Sequence, residues 1–271
     1  MGPDVTPAQA AGRLLMVGAG NMGGAMLERW LEAGLPTDQV TVVSPSGRAM
    51  PDGVRVVPTI TTEPFDTILL AMKPQQLGAV RDALHGHAPR LLLSILAGVE
   101  LATLATLTGA PAVRAMPNLP VAIGEGAIAL HGERGTEAGA RAAALMAPLG
   151  LVEWIGDERA FDLVTALAGS GPAFLYRFTD ALARAGETLG LPAEQAARLA
   201  LATVGGAAAL ATRTDASPAV LAEQVASPGG STRAGLNVLD RDDALLGLLT
   251  ETLRAATRRN AELARIARDG A

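Results

Sequence analysis

The sequence predicts an α/β protein: an N-terminal doubly wound sheet of the Rossmann type, followed by an all-α C-terminal domain. Three observations predict this fold. Apolar strand-length segments alternate with helical segments in the first part of the chain. The first strand leads into a Gly-x-Gly-x-x-Gly turn. Beyond residue 156 every segment has a helical pattern. We therefore expect domains at 1–156 and 157–271, with residues 1–12 as a loose N-terminus.

The predicted strands of the first domain are short and apolar. They are RLLMVGAG (13–20), QVTVVSP (39–45), VRVVP (54–58), DTILLAMKP (66–74), PRLLLSILAG (89–98), AVRAMPNLP (112–120), GAIALHG (126–132) and LVEWIG (151–156). Continuous apolar strands of this kind are typical of a parallel sheet covered on both faces. Apolar residues at helical spacing predict helices at 21–34 and 136–150.

The second domain is predicted to contain five helical segments separated by Gly, Pro and Ser. They are 157–169, 171–190, 192–212, 217–227 and 242–269. The segment ARLALATVGGAAALA (197–211) is apolar nearly all round, which indicates burial on more than one side. Because five helices enclose little interior, we predict that a second subunit covers it and that the protein is at least a dimer. The alternative is a helix central to its own domain.

Composition excludes several classes of protein. The net charge of −5 offers no basic face for nucleic acid, and no apolar run approaches the ~20 residues of a membrane span. The first dozen residues lack the pattern of a signal peptide. The chain has no cysteine, which fits a cytoplasmic protein and excludes disulfides and thiolate metal sites. Of the three histidines, His85 and His87 lie in a polar segment without an acidic ligand set nearby, so we expect no metal site.

The turn after the first strand predicts a dinucleotide site. Gly18 permits the tight turn, Gly20 lets the backbone approach a pyrophosphate, and Gly23 lets the helix pack closely on the strand. The helix that follows offers unpaired amides and its positive dipole end to the phosphates. A simple strand–helix turn is the alternative.

The end of the second strand indicates which dinucleotide binds. NAD-preferring folds place an acidic residue there to hold the ribose hydroxyls. Here Ser44 and Ser46 stand in its place and Arg48 follows. Hydroxyls with a guanidinium suit a 2′-phosphate, so we predict NADPH as the preferred cofactor and NADH as the alternative. Arg48 as a solvated loop residue is the structural alternative.

Polar residues follow other strands at the same predicted edge of the sheet, where α/β folds bind ligands. Lys73 is the only lysine among 22 basic residues, and it ends the strand 66–74. Asn118 lies near the end of the strand 112–120 and offers both a donor and an acceptor. An exposed loop lysine is an equally good interpretation of Lys73.

The segment VASPGGSTRAG (225–235) interrupts the helices of the second half. Gly229 and Gly230 allow a backbone path closed to other residues, and a helix is predicted to start directly after them. The free amides of such a helix start suit a small carboxylate, and Ser231 and Thr232 add hydroxyls. A helix–helix turn with a Ser or Thr cap is the alternative.

Together, the motifs GAGNMG, AMKPQ, RAMPN-P, ALAGSGPAF and SPGGST resemble the pyrroline-5-carboxylate reductase family in order and spacing, from Leu14 to about Leu263. The resemblance implies a cytoplasmic enzyme of proline synthesis that transfers hydride from NAD(P)H to the C=N carbon of 1-pyrroline-5-carboxylate. It implies a helical domain interleaved with that of a partner subunit, and an active site between the domains. Family members include pentamers of dimers.

The resemblance also implies roles for individual residues. The pyrophosphate would be cradled by Gly18, Ala19, Gly20, Asn21 and Met22; the adenosine ribose would face Ser44, Ser46 and Arg48; and the nicotinamide side would be lined by Ala71, Met72, Lys73, Pro74, Ala97 and Gly98. Asn118 and Pro120 would border the reacting ring. The substrate carboxylate would be held by Gly229, Gly230 and Ser231, with Ser227 assisting, and Thr232 would hydrogen-bond near the imine nitrogen as the catalytic residue.

Two other classes share part of this pattern. A 3-hydroxyacid dehydrogenase or an imine reductase has a similar Gly-rich turn, but the former uses a catalytic lysine in its second domain, and no lysine stands there. A dinucleotide-sensing protein without catalytic activity is the non-enzyme alternative, and it has no need of an anion-holding loop such as SPGGST.

Overall fold

The computed structural model describes residues 6–269. Within them, eight strands form one sheet: β1 (Leu14–Val17), β2 (Val40–Val43), β3 (Arg55–Val57), β4 (Thr67–Leu70), β5 (Leu91–Ser94), β6 (Ala112–Met116), β7 (Gly126–His131) and β8 (Gly150–Trp154). Their order is β3-β2-β1-β4-β5-β6-β7-β8. Only the β6–β7 pair is antiparallel among these neighbours. The predicted doubly wound sheet is confirmed, with β1 at the point where the strand order reverses.

The α-helices of the described chain are α1 (Pro7–Ala11), α2 (Asn21–Glu32), α3 (Leu77–Leu84), α4 (Leu101–Thr108), α5 (Glu137–Met146), α6 (Phe161–Val164), α7 (Gly171–Thr188), α8 (Ala193–Ala211), α9 (Pro218–Val225), α10 (Ser231–Leu239) and α11 (Ala244–Asp269). A π-helical turn, Thr165–Gly169, follows α6. All strands therefore lie in the first part of the described chain, as the sequence predicts.

The central strands are buried on both faces, which explains why they read as continuous apolar runs. Alternate residues enter two different cores. Met16 and Leu69 pack on one side of the sheet with Trp30 of α2, whereas Leu15 and its neighbours on that face pack with α4. The indole Nε1 of Trp30 donates a hydrogen bond to the carbonyl oxygen of Leu145 over 2.6 Å, so its one polar atom is satisfied in the core.

The prediction of a loose N-terminus is wrong for residues 6–11. Thr6 and Gln9 form a reciprocal capping box at the start of α1, and Ala10 and Ala11 are fully buried. Arg141 of α5 donates a hydrogen bond to the carbonyl oxygen of Ala10 over 2.7 Å. Two buried methyl groups and a long-range hydrogen bond hold this short helix, and neither is visible in local composition. Residues 1–5 lie outside the described residues.

The sequence places the domain boundary at 156–157. The described chain instead divides into one compact unit of 6–170 with 255–269, and a second unit, Gly171–Arg254. Phe161 explains why the segment after β8 stays with the sheet. Its ring is 2% exposed and packs in a cluster with Met116 and Ala129 of the sheet.

Helix α8 is not central to the second unit. Of its 19 residues only Ala196 and Ala200 are buried in the single chain, and α7 has no buried residue. Large apolar side chains on the two helices are between 43% and 64% exposed: Leu175, Tyr176, Phe178, Leu182, Leu199, Leu201 and Leu210. A surface this apolar on a single chain is typical of a subunit interface, and the alternative of a helix enclosed by its own domain does not hold.

None of the helices in residues 6–269 combines the length and the apolar character that crossing a membrane requires.

Candidate active site

The turn between β1 and α2 has the geometry that its glycines predict. Gly18 has a φ of 90°, and a Cβ there would lie 2.9 Å from Cα of Met72, so neither the conformation nor the space admits a side chain. A Cβ on Gly23 would lie 3.2 Å from Cβ of Ala71, which reflects the close packing of α2 on the sheet. A Cβ on Gly20, by contrast, would project into open space.

Gly20 is also the N-cap of α2, and no side chain caps this 12-residue helix. Its first amides are therefore available to an anion, with the positive end of the helix dipole behind them. A pyrophosphate fits such a turn, because the open space beside Gly20 lets it approach the backbone closely. The residues present thus fit a dinucleotide.

A cleft of about 550 Å³ surrounds this turn. It brings together most of the residues predicted to bind the cofactor: Gly18, Ala19, Gly20, Asn21, Met22, Ser44, Ser46, Arg48, Ala71, Met72 and Lys73. They come from the ends of three neighbouring strands, β1, β2 and β4, which share one edge of the sheet. Gln76 also lines the cleft, although sequence reasoning assigned it no role. Its side-chain oxygen accepts a hydrogen bond of 3.1 Å from the Lys73 amide.

The loop after β2 is linked to the glycine turn. Arg48 Nη1 donates a hydrogen bond to the carbonyl oxygen of Ala19 over 3.1 Å. The Arg48 amide donates to Oγ of Ser44 over 3.2 Å, and the hydroxyls of Ser44 and Ser46 are 3.5 Å apart. A guanidinium and two hydroxyls therefore stand together at the cleft, and most of the guanidinium donors remain for another acceptor.

Pro74, Ala97 and Gly98 line a second cavity of about 190 Å³, and Pro74 directly follows Lys73 of the first cleft. Gly98 has a φ of 73°, and a Cβ there would lie 2.6 Å from Cα of Ala264 in α11. The glycine is required for helix packing, a reason that the sequence motif did not reveal.

The amide of Asn118 is used within the protein. Its nitrogen donates to the carbonyl oxygen of Ala168 over 3.0 Å, and its oxygen accepts from the amide of Ala127 over 2.8 Å. The residue is 7% exposed. These contacts tie the end of β6 to the start of β7 and to the π-helical turn. They give Asn118 a scaffolding role, and its predicted contact with a substrate ring stays a prediction.

In the second unit, the segment 227–232 forms a tight turn before α10. Gly229 has a φ of 72°, and the Gly230 amide donates to the carbonyl oxygen of Ser227 over 3.0 Å. Gly230 is the N-cap of α10, which carries no side-chain cap. The alternative of a Ser or Thr side chain capping this helix therefore does not hold, and the exposed Ser231 and Thr232 hydroxyls stand beside helix-start amides that no side chain caps.

An ion pair joins the two helices on either side of this turn. The Arg233 guanidinium of α10 donates two hydrogen bonds to the Glu223 carboxylate of α9, one of them 3.1 Å long between Nη1 and Oε1. These hydrogen bonds hold the pKa of Glu223 below its ordinary value of 4.5 and raise that of Arg233. The pair fixes the ends of the turn at neutral pH.

Two protein-family models match the chain, one in each half. A family model described as pyrroline-5-carboxylate reductase dimerisation matches residues 158–263. A second, described as NADP oxidoreductase, coenzyme F420-dependent, matches residues 13–98 and so includes the glycine turn and the residues after β2 and β4.

Curated proteins resemble the chain over nearly its full length. It is 35% identical to a pyrroline-5-carboxylate reductase of Pseudomonas aeruginosa, with 93% of this chain and 97% of that protein covered. It is 36% identical to the pyrroline-5-carboxylate reductase of Synechocystis, with 93% and 98% covered.

Two solved reductase structures are also similar to this chain over most of its length. A pyrroline-5-carboxylate reductase from Coxiella burnetii is 30% identical, with a TM-score of 0.83 and with 93% of this chain and 98% of that chain covered. A Plasmodium falciparum pyrroline carboxylate reductase with NADP bound is 25% identical, with a TM-score of 0.78 and the same coverage.

Proposed function

This chain belongs to the pyrroline-5-carboxylate reductase family, and we propose that it reduces the C=N bond of 1-pyrroline-5-carboxylate to give L-proline, the last step of proline biosynthesis. The observation that carries the proposal is the likeness at about 35% identity over both units, together with a glycine-turn cleft that fits a dinucleotide. The enzyme is an oxidoreductase that uses a nicotinamide cofactor.

The cofactor would be held by the uncapped start of α2 and by the ends of β2 and β4. When bound, a reduced nicotinamide dinucleotide supplies the hydride that the imine carbon accepts. The chain needs little further machinery, because a protonated imine is already electrophilic and alignment supplies much of the rate. This accounts for a site without a paired carboxylate or a histidine among its proposed residues.

We propose NADPH as the preferred form of the cofactor. The support is the group formed by Arg48, Ser44 and Ser46 at the cleft. A guanidinium and hydroxyls stabilise a 2′-phosphate, and no carboxylate lines this cleft to repel it. NADH remains usable, because the glycine turn binds the pyrophosphate common to both cofactors.

The segment 227–232 is proposed to hold the substrate. The amides at the start of α10 would bind the carboxylate, and Ser227, Gly229, Gly230 and Ser231 shape the turn. Thr232 Oγ1 would hydrogen-bond the ring nitrogen and hold the proton there, which keeps the imine carbon electrophilic. Thr232 is thus the proposed catalytic residue.

The protein is a homo-oligomer, in keeping with its dimerisation family. We propose a dimer at least, formed through the apolar surface of α7 and α8, with a pentamer of dimers as the larger assembly that sizing would detect. We also propose a cytoplasmic location, with which the absence of cysteine is compatible.

The proposal is tested by mixing the purified protein with 1-pyrroline-5-carboxylate and NADPH and following the loss of nicotinamide absorbance. Formation of proline equal to the NADPH consumed is the expected result. Reduction of 3-oxoacids or of unrelated imines by NADPH in place of this substrate would favour another reductase, and NADPH binding without any turnover would favour a sensor.

A further inference from the structure

Arg114 is a buried charge that lies outside the residues assigned to the reaction. It belongs to β6, and its side chain is only 6% exposed. Its Nη1 donates a hydrogen bond to Oε1 of Glu158 over 2.7 Å. A buried guanidinium requires such a partner, because an isolated charge in the interior is strongly unfavourable.

The same oxygen of the Glu158 carboxylate, Oε1, makes a second contact. Oε1 accepts a hydrogen bond of 2.8 Å from the amide of Leu101, the first residue of α4. The helix has no side-chain cap from its own N-cap residue. Glu158 therefore serves as a cap from a distant part of the chain, and its charge is favourable at the positive end of the helix.

Two aromatic rings restrict where this pair can lie. The Arg114 guanidinium carbon is 4.4 Å from the centre of the Phe161 ring, and His131 packs edge-on against that ring with centres 5.9 Å apart. His131 stands opposite Arg114 in the β6–β7 register, and its Nδ1 is 2.7 Å from the carbonyl oxygen of Ile155. The guanidinium plane is thus held between a cation–π contact and an ion pair.

The capped amide of Leu101 lies only three residues after Gly98. Arg114 and Gly98 both line the cavity of about 190 Å³, and both line a neighbouring cavity of about 300 Å³. Pro74, which follows Lys73, also lines the smaller cavity. Arg114 therefore lines the same cavity as residues of the two turns that are proposed to border the nicotinamide.

We propose that Arg114 and Glu158 are positioning residues for the reaction. Through the Leu101 amide they fix the turn that carries Ala97 and Gly98, and so set the nicotinamide side of the cofactor site. This inference rests on the proposed function, but it concerns residues that need not touch cofactor or substrate.

The test is Glu158→Gln, which keeps the size of the side chain and removes its charge. We expect kcat to fall by about tenfold or more, because misplacement near the reacting atoms is costly. Binding is measured separately by titrating the protein with NADPH and with 2′,5′-ADP, which lacks the nicotinamide half. NADPH should bind several-fold more weakly, whereas the affinity for 2′,5′-ADP should not change.

Equal losses for the two ligands, or no change in kcat and NADPH affinity, would overturn the proposal. Arg114→Met should reproduce the Glu158→Gln result, and the double variant should be no worse than the more damaging single one, because the two side chains act as one unit. Asp157→Asn is the matched control, since it breaks the exposed Asp157–Arg159 pair one residue away and should leave both affinities unchanged.

The binding measurements separate this inference from the proposed function. A wild-type protein that failed to reduce 1-pyrroline-5-carboxylate would contradict the proposed function. The positioning role would still stand if the wild-type protein bound NADPH more tightly than the Glu158→Gln variant did. The two proteins would also have to bind 2′,5′-ADP equally well.

Discussion

The guanidinium of Arg48 donates a hydrogen bond to the carbonyl oxygen of Ala19 over 3.1 Å, and so links the loop after β2 to the glycine turn after β1. Because this contact occupies one donor, the remaining donors can meet a phosphate at the same edge of the cleft.

Replacing Ser44 by Asp is expected to shift cofactor preference toward NADH. A carboxylate at this position repels a 2′-phosphate and accepts hydrogen bonds from ribose hydroxyls. We expect kcat/KM with NADPH to fall by about tenfold or more, while that with NADH is retained. The ratio of the two values measures the effect. An unchanged ratio would mean that the 2′-phosphate does not lie near Ser44.

Gly20→Ala separates ligand binding from folding. Its φ of −70° suits alanine, and the new methyl group would meet no protein atom within 4 Å. The melting temperature should fall only slightly, because alanine is a poorer N-cap than glycine. The Kd for NADPH should rise about tenfold or more, because the methyl group occupies the approach to the pyrophosphate. Gly24→Ala is the control, since its methyl also meets open space but lies one turn further along α2. Equal affinities in the two variants would argue against the proposed phosphate position.

Thr232→Ala should slow turnover without weakening NADPH binding. Loss of a hydroxyl that holds a proton at the imine nitrogen is expected to lower kcat by about tenfold to a hundredfold. Steady-state kinetics and an NADPH titration give the two quantities. Thr212→Ala is the control, because that hydroxyl hydrogen-bonds only within its own helix in the contacts of the described chain. Wild-type turnover in Thr232→Ala would remove this residue from the site.

The Arg233–Glu223 pair predicts a pH-dependent contribution to stability. Since the hydrogen bonds from Arg233 lower the pKa of folded Glu223 below 4.5, the carboxylate stabilises the fold above the unfolded-state pKa. That contribution is lost as the pH falls through the lower, folded-state pKa. Glu223→Gln should therefore melt slightly below the wild type at neutral pH, and the two melting curves should converge in acid. A difference that stayed constant down to the acid limit would contradict the assignment.

The apolar surface of α7 and α8 predicts that one charge will disrupt assembly. Leu201 is 64% exposed in the single chain. If this residue is buried in the interface, Leu201→Asp removes the new carboxylate from water, which is strongly unfavourable for assembly. Sizing by light scattering should show a smaller particle for this variant. Leu151→Asp, at a residue 63% exposed on β8, should keep the wild-type mass. A Leu201→Asp protein of unchanged mass would place the interface elsewhere.

The sequence by itself predicted the sheet, the helical second half and the glycine-turn cleft, because these depend on patterns within a few residues. Alternation of apolar segments, the spacing of three glycines and the residues at strand ends are all local. Parallel strands then bring their carboxyl ends to one edge, so residues far apart in the chain, such as Ser44 and Lys73, line one cleft.

Only the tertiary structure decided the roles of residues whose partners are distant. The amide nitrogen of Asn118 donates a hydrogen bond to the carbonyl oxygen of Ala168, 50 residues away, a scaffolding contact that the motif did not reveal. Position 98 must be glycine because a Cβ there would clash with Ala264 of α11. Glu158 accepts hydrogen bonds from Arg114 and Leu101, which are 44 and 57 residues away in the sequence. A hydrogen bond or a packed methyl group depends on positions set by the whole fold, and no local pattern carries that information.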